Sequence, residues 1–349
     1  MQHGLRRDIM QNEHLKKLCL LCGASGNEGA VRDYILEQIK PYADSITIDP
    51  LGSVIAEKKG AKPAPKKLMV SAHMDEVGMI ITYINDDGTM QIAPVGGVDA
   101  NVVIGRPVVV GEKKISGVIG AKPIHLLNSD QRKALPKFSE LYLDIGAENG
   151  DAAGKLVSVG DYVHFLPGYT EMGGGRVRSK ALDDRIGCAI MLTLMAQELP
   201  YDVTFAFLVQ EEVGLRGAKA AAYTVNPDIA LVLEATTAAD LTGADGDAKV
   251  CALGGGPVVS FMDRSTIYDR ELYRLAFAEC EKMGIPCQTK TRIAGGNDSG
   301  AIHISRGGVR TLAISAPCRY LHSPSCAADL QDIENCMQLT AAMIEAVLR

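Results

Sequence analysis

Val203-Thr204-Phe205-Ala206-Phe207-Leu208-Val209-Gln210-Glu211-Glu212 is the stretch that decides the fold. Its apolar run, Phe205–Val209, has the length of a strand but not the alternation of a strand with one wet face. Such a strand is covered on both sides. The pattern recurs elsewhere in the chain. Leu68–Ala72 runs into His73-Met74-Asp75, Ile229–Leu233 into Glu234, and Thr311–Ala316 through Pro317-Cys318-Arg319-Tyr320 towards His322. Between these runs helical periodicity appears at 182–199, near 269–283 and from about 329 to 348. The last segment places Ile333, Met337, Thr340, Ile344 and Val347 on one face. Strand–helix alternation around continuous apolar strands predicts an α/β fold, its mixed sheet flanked by helices.

Upstream, periodicity predicts a helix over 10–22. Ser25-Gly26-Asn27-Glu28 reads as a capping box opening a second helix to about Lys40. Ile46–Asp49 and Ser53–Lys58 suggest a hairpin around Asp49-Pro50-Leu51-Gly52. From about 76 to 165 the texture changes to short β-rich runs: Met79–Ile84, Val108–Val110, Ile115–Ile119, Leu141–Ile145 and Tyr162–Phe165. Turn signals such as Asn85-Asp86-Asp87-Gly88 and Gly96-Gly97 separate them, as in a small barrel or sandwich. The expected organisation is therefore an α/β domain of residues 1–72 plus 166–349, with residues 73–165 inserted as a small β-barrel domain.

Composition narrows the class. The chain has 349 residues, 47% of them hydrophobic and 22% charged, which excludes disorder and coiled coil. Its net charge of −6, with no basic run beyond Lys58-Lys59 and Lys66-Lys67, argues against a nucleic-acid partner. No apolar segment approaches the roughly 18 residues of a membrane span. The N-terminus lacks the uncharged stretch and small-residue cleavage site of a signal peptide. A cytoplasmic protein is expected. Nine cysteines without a repeated spacing fit that compartment, and Cys19-x-x-Cys22, in an apolar helical stripe, reads as core thiols.

The chemistry lies just past the end of each buried strand. In open α/β sheets ligands bind beyond the carboxyl ends of the strands. If the strands are parallel, two histidines and several carboxylates converge on one edge, and Asp183 joins them where a helix begins. Unpaired buried acids are costly, and a cation removes the cost. The set His73, Asp183, a glutamate of the 211–212 pair, Glu234 and His322 suits two divalent ions, with room left for a water. Consecutive residues leaving a strand point in opposite directions. One of Glu211 and Glu212 can thus be a ligand while its neighbour serves as general base. Asp75, two residues from His73, is placed to accept from its imidazole.

Four ordered motifs resemble those of the M42 metallo-aminopeptidases, the tetrahedral or glutamyl aminopeptidases. They are His73-Met74-Asp75-Glu76-Val77-Gly78, Leu182-Asp183-Asp184-Arg185-Ile186-Gly187-Cys188, Gln210-Glu211-Glu212-Val213-Gly214-Leu215-Arg216-Gly217-Ala218 and Arg319-Tyr320-Leu321-His322-Ser323. The resemblance covers essentially the whole chain. It implies a zinc-peptidase-like fold, His73 and His322 as terminal imidazole ligands, and Asp183 as the bridging carboxylate. It also implies Glu212 and Glu234 as terminal carboxylates and Glu211 as the general base. Zinc or cobalt is the implied metal, and His/carboxylate sites also accept manganese. The implied partners are short peptides with a free N-terminus, and other copies of the chain in dimers that build hollow dodecamers. Two positions depart from the pattern: Glu234, commonly aspartate, and Asn297 with Ser299, in a segment that usually carries Thr-Asp-Ala.

Two rival readings stand beside the aminopeptidase. An N-acyl amino acid deacylase would use the same metals but need a cation for the substrate carboxylate. A non-catalytic assembly or binding protein would keep the fold alone. A serine nucleophile finds no Gly-x-Ser-x-Gly elbow. Adjacent Glu211 and Glu212 cannot flank a sugar bond from opposite faces.

Overall fold

The computed structural model describes residues 2–130 and 132–349, with the side chains of 2–10 and 247 outside the description. The strands are β1 (Ser45–Ile48), β2 (Val54–Lys58), β3 (Leu68–His73), β4 (Gly78–Ile84), β5 (Met90–Val95), β6 (Pro107–Val110), β7 (Ile115–Ala121), β8 (Leu141–Asp144), β9 (Tyr162–Phe165), β10 (Tyr169–Met172), β11 (Arg176–Ser179), β12 (Val203–Leu208), β13 (Ile229–Thr237), β14 (Val258–Val259), β15 (Gln288–Thr289), β16 (Arg310–Arg319) and β17 (Cys326–Asp329). The helices are α1 (Gln2–Cys19), α2 (Gly29–Ile39), α3 (Ala100–Val103), α4 (Gly150–Gly154), α5 (Leu182–Met195), α6 (Arg216–Val225), α7 (Arg270–Met283), α8 (Ser299–Ile302) and α9 (Leu330–Leu348).

The large sheet runs β1-β2-β12-β3-β13-β16-β17-β11-β10, with β14 against β16 and β15 against β14. Its centre, β12-β3-β13-β16, is parallel and its flanks are antiparallel. Side chains alternate across it. Leu68, Val70, Phe205, Phe207, Leu231 and Leu233 enter the core shared with α1, α2, α5 and α9. Met69, Ala206, Leu208, Ala230 and Val232 pack on the other face with residues of α6 and α8. Both faces are therefore dry, as the uninterrupted apolar runs demand. Phe207 is fully buried. Phe207→Ala should cost about 3–5 kcal/mol through lost burial and a residual cavity, read as a lower urea midpoint at unchanged slope.

Strands β4-β5-β8-β7-β6-β9 close into a barrel with its own core of Met79, Ile81, Met90, Leu143, Val163 and Phe165 among others. The barrel strands run from Gly78 to Phe165, while His73 is the last residue of β3 in the large sheet. No described helix is long and apolar enough to cross a membrane.

Local expectations fail in two places. Helix α1 begins at Gln2 rather than near residue 10. The Ser25–Glu28 capping box does not form: α2 starts without a side-chain cap. The Ser25 hydroxyl instead donates to Asp75 Oδ2 at 2.6 Å, and Glu28 accepts from the amides of Gly26 and Gln210 at 2.7 and 3.2 Å. Both side chains leave the helix end to brace the loops beyond β3 and β12.

Candidate active site

Because β12, β3 and β13 are parallel neighbours, their carboxyl ends lie together, with Leu208 opposite His73 in register. His73 ends β3, Glu234 lies within β13, and Glu211-Glu212 follow β12. Asp183 leads into α5, and His322 stands on the loop between β16 and β17. The Asp183–Asp184 peptide is cis.

The five residues meet as two triads that share Asp183. His73 Nε2 lies 3.3 Å from Asp183 Oδ1 and 3.8 Å from Glu234 Oε2. His322 Nε2 lies 3.4 Å from Glu212 Oε2 and 3.7 Å from Asp183 Oδ2. Each triad presents its ligand atoms within 4.8 Å of one another. Both imidazoles are oriented from behind. Nδ1 of His73 donates to the Asp75 carbonyl at 3.0 Å, and Nδ1 of His322 donates to the Gly97 carbonyl at 2.9 Å. Each Nε2 is thereby turned towards the shared carboxylate, as metal-binding histidines require.

The charges are unbalanced without a cation. Burial works against a charge on His73, yet the Asp183 and Asp75 carboxylates beside it hold its pKa well above the ordinary imidazole value. The Asp183 hydrogen bond raises His322 to about 10. Burial resists ionisation of Asp183, but His322 and His73 hold its carboxyl below the usual range. Burial pushes Glu212 up to about 7, and Glu211 and Glu234 well above the carboxylate range. Asp183 Oδ1 and Glu234 Oε1 are buried without a hydrogen-bond donor. Orphaned carboxylate oxygens opposite oriented imidazoles are a donor set that fits zinc, cobalt or manganese.

Asp75 does more than its spacing foretold. Its carboxylate comes within 3.5 Å of His73 Nδ1, but its nearer partners are the amides of Glu211 (2.9 Å) and Glu212 (3.2 Å). One buried side chain thus ties the β3 ending to the β12 ending.

All seven residues surround or support a cavity of about 730 Å³, lined by Asp183, Glu211, Glu212, Glu234 and His322 on one side. The opposite lining includes Thr237, Val250, Arg264, Lys290 and the loop 294–297. The Lys290 ammonium donates to the Ala294 carbonyl at 3.0 Å rather than to a carboxylate.

Residues 52–339 match the M42 glutamyl aminopeptidase family. A putative aminopeptidase of Acetivibrio thermocellus is 40% identical over 95% of this chain and 97% of its own length. An aminopeptidase structure from the archaeon Desulfurococcus kamchatkensis superposes with a TM-score of 0.91 at 35% identity, covering 96% of this chain and 95% of that one. The TET1 peptidase of Pyrococcus horikoshii, which can assemble into a tetrahedron or a large octahedral shell, gives 0.85 at 36% identity over 96% and 99%. The chain belongs to the M42 glutamyl aminopeptidase family.

As an M42 aminopeptidase it is a peptide hydrolase. Three supports of its site were visible in the sequence only as a turn, a motif residue and a departure from the family pattern, without a role. Gly96 and Gly97, read there only as a turn, lie against the triads: a Cβ on Gly97 would sit 3.1 Å from His322 Nδ1, and one on Gly96 3.1 Å from the Glu212 Cβ. Gly96 also has φ +86°, where only glycine is unstrained. Glu76, at the entry to the barrel, binds Lys180 Nζ at 2.6 and 2.8 Å beneath the site. Asn297, the departure from the family's usual threonine, accepts from the Ser299 amide at 2.9 Å and donates to the Tyr268 hydroxyl at 3.1 Å. These two bonds tie the loop of the cavity wall to Tyr268.

Proposed function

We propose that this M42 aminopeptidase releases N-terminal residues from short peptides, using two divalent ions held by the paired triads. The observation that carries the reading is the shared Asp183, with Glu211 in the wall of the same cavity. His73 and Glu234 would hold one ion and Glu212 and His322 the other, with Asp183 between them. Bound there, the ions supply Lewis-acid polarisation and a lowered pKa for water, from 15.7 towards ~7. Glu211 takes the proton of the attacking water and passes it to the leaving amine. Asp75 holds the Glu211 and Glu212 amides, and so keeps the base beside the ligands. Zinc or cobalt is the proposed metal, with manganese a third fit, and the cytoplasm the proposed place of action.

The barrel, residues 73–165 in the proposed division, is the proposed assembly and access module. Tyr83, Ile124, Leu126 and Leu135 are exposed apolar side chains on it. They suit contact with another copy in the proposed dimers and dodecamer, and likeness to the TET1 peptidase, a dodecamer in one structure and a tetrahedron or octahedral shell in another, supports self-association.

With three acids of the cavity assigned to the ion sites and Glu211 to the base, Lys290 and Arg264 are the charged residues left in its lining. They favour a substrate whose first side chain is acidic. The same cations would serve a deacylase by binding a substrate carboxylate, so the deciding assay compares free with blocked N-termini. Aminoacyl-p-nitroanilides and their N-acetyl versions are to be tested with zinc, cobalt and manganese after chelation. Metal-restored release of free residues, glutamate above alanine or lysine, is expected, and turnover of blocked substrates alone would overturn the aminopeptidase reading. Lys290→Glu should lower kcat/KM for the glutamyl substrate about tenfold relative to the alanyl one, the worth of one ~1.4 kcal/mol contact.

A further inference from the structure

Cys318 and Cys326 stand at the two ends of the loop that carries His322. Cys318 lies one residue before the end of β16, Cys326 opens β17, and residues 319–325 join them. The strands pair with Cys318 opposite Ala328 and Arg319 opposite Ala327. Cys318 and Cys326 therefore share one face of the ribbon, two residues apart along β17. Both are reduced and buried, and each thiol lies close enough to the other to influence its ionisation.

Each thiol also reaches into the loop. Cys318 Sγ donates to the Arg319 carbonyl at 3.6 Å and Cys326 Sγ to the Ser323 carbonyl at 3.4 Å. The loop they brace is held in unfavoured backbone, with φ of 61° at Tyr320 and 57° at His322. Cys326 lines a cavity of about 10 Å³ together with Asp183, Glu212 and His322. Those three also line the large cavity, so only their side chains stand between Cys326 and the site.

We propose that Cys318 and Cys326 form a reversible disulfide, closed by a small peroxide, that disarms the His322 end of the site. The inference rests on the reading of His322 as a metal residue. One thiol takes an oxygen from hydrogen peroxide, becoming a sulfenic acid and releasing water. The other thiol attacks that sulfur and expels the oxygen as a second water. Two S–H bonds and the O–O bond are lost, the sulfurs are oxidised and the peroxide is reduced. Closure removes both S–H donors from the Arg319 and Ser323 carbonyls and draws the stem of the loop together. His322, which must present Nε2 to Glu212 and Asp183, moves with it.

The test uses full-length protein carrying C280S/C287S, because the Cys280 and Cys287 thiols also meet and would complicate mapping. Metal-stripped protein is treated with hydrogen peroxide, mapped by mass spectrometry of alkylated peptides, and titrated with zinc before and after dithiothreitol. A 318–326 linkage is expected, with zinc affinity at one of two sites down at least about tenfold, the scale on which supports of a metal ligand act. Dithiothreitol should restore it, and C318A and C326A should each keep their zinc affinity under the same treatment. Absence of the linkage, or a linkage that leaves zinc uptake unchanged, overturns the proposal. Reduced protein that takes up no zinc overturns the metal reading and this coupling with it, whereas normal uptake that oxidation does not alter overturns the coupling alone.

Discussion

Glu211→Gln should lower kcat by about 10²–10⁴-fold, the range in which a positioned general base contributes, while zinc uptake stays as in the parent protein. The substitution keeps the shape of the side chain and removes only its capacity to take a proton. Its main-chain amide remains bonded to Asp75 Oδ1, and none of the five residues of the paired triads is touched. Steady-state kinetics on a free-amine substrate, with zinc titration of the same sample, separates the two effects. A variant that keeps most of its activity would assign the proton to another group, and one that loses zinc as well would make Glu211 a ligand.

Asp183→Ala should act more broadly, because this carboxylate is the one member common to both triads. Losing a support of a ligand costs 10–100-fold in metal affinity; losing the shared ligand should exceed that at both sites and take activity below detection. The metal-free variant should also be less stable than metal-free parent protein near neutral pH. Asp183 lies 3.3 Å from His73 Nε2 and 3.7 Å from His322 Nε2, and the two imidazoles hold its carboxyl below the usual range, so its ionised form stabilises the fold and its removal forfeits that. Melting temperatures with and without zinc check this. The parent should gain stability with zinc by mass action, and the variant should not. Retention of two tightly bound zinc ions would remove Asp183 from the centre of the site.

How much of this could be read from the chain depends on where each residue's partners lie. The buried strands announced themselves because both faces of the parallel sheet are dry, and tracing them to their ends led to His73, the Glu211–Glu212 pair, Glu234 and His322, the choice within the pair coming from the family resemblance. Strand β5 escaped notice, since Pro94 lies inside it. Its pairing with β8 is confined to Met90 and Leu143, so the missing N–H of Pro94 costs no bond on that side. Strands β10 and β11 were missed because each has only four residues, too few to show a period, and they join the sheet by pairing with each other and, through β11, with β17. Ser25 and Glu28 were misread for a different reason. They have the spacing of a local cap, and sequence distance conceals that Asp75 and Gln210 are their partners. The contribution of Gly97 was equally hidden, because its carbonyl is 225 residues away from the imidazole it holds.

That last contact has a consequence for how such a protein can change over evolutionary time. The turn that carries Gly97 lies between β5 and α3, on the barrel's side of the chain, yet it supplies the acceptor that fixes the orientation of His322, on the loop after β16. The barrel cannot be exchanged as a cassette without also replacing the group that orients His322. A lineage that remodels the barrel must therefore keep this turn in place or find another acceptor for that imidazole.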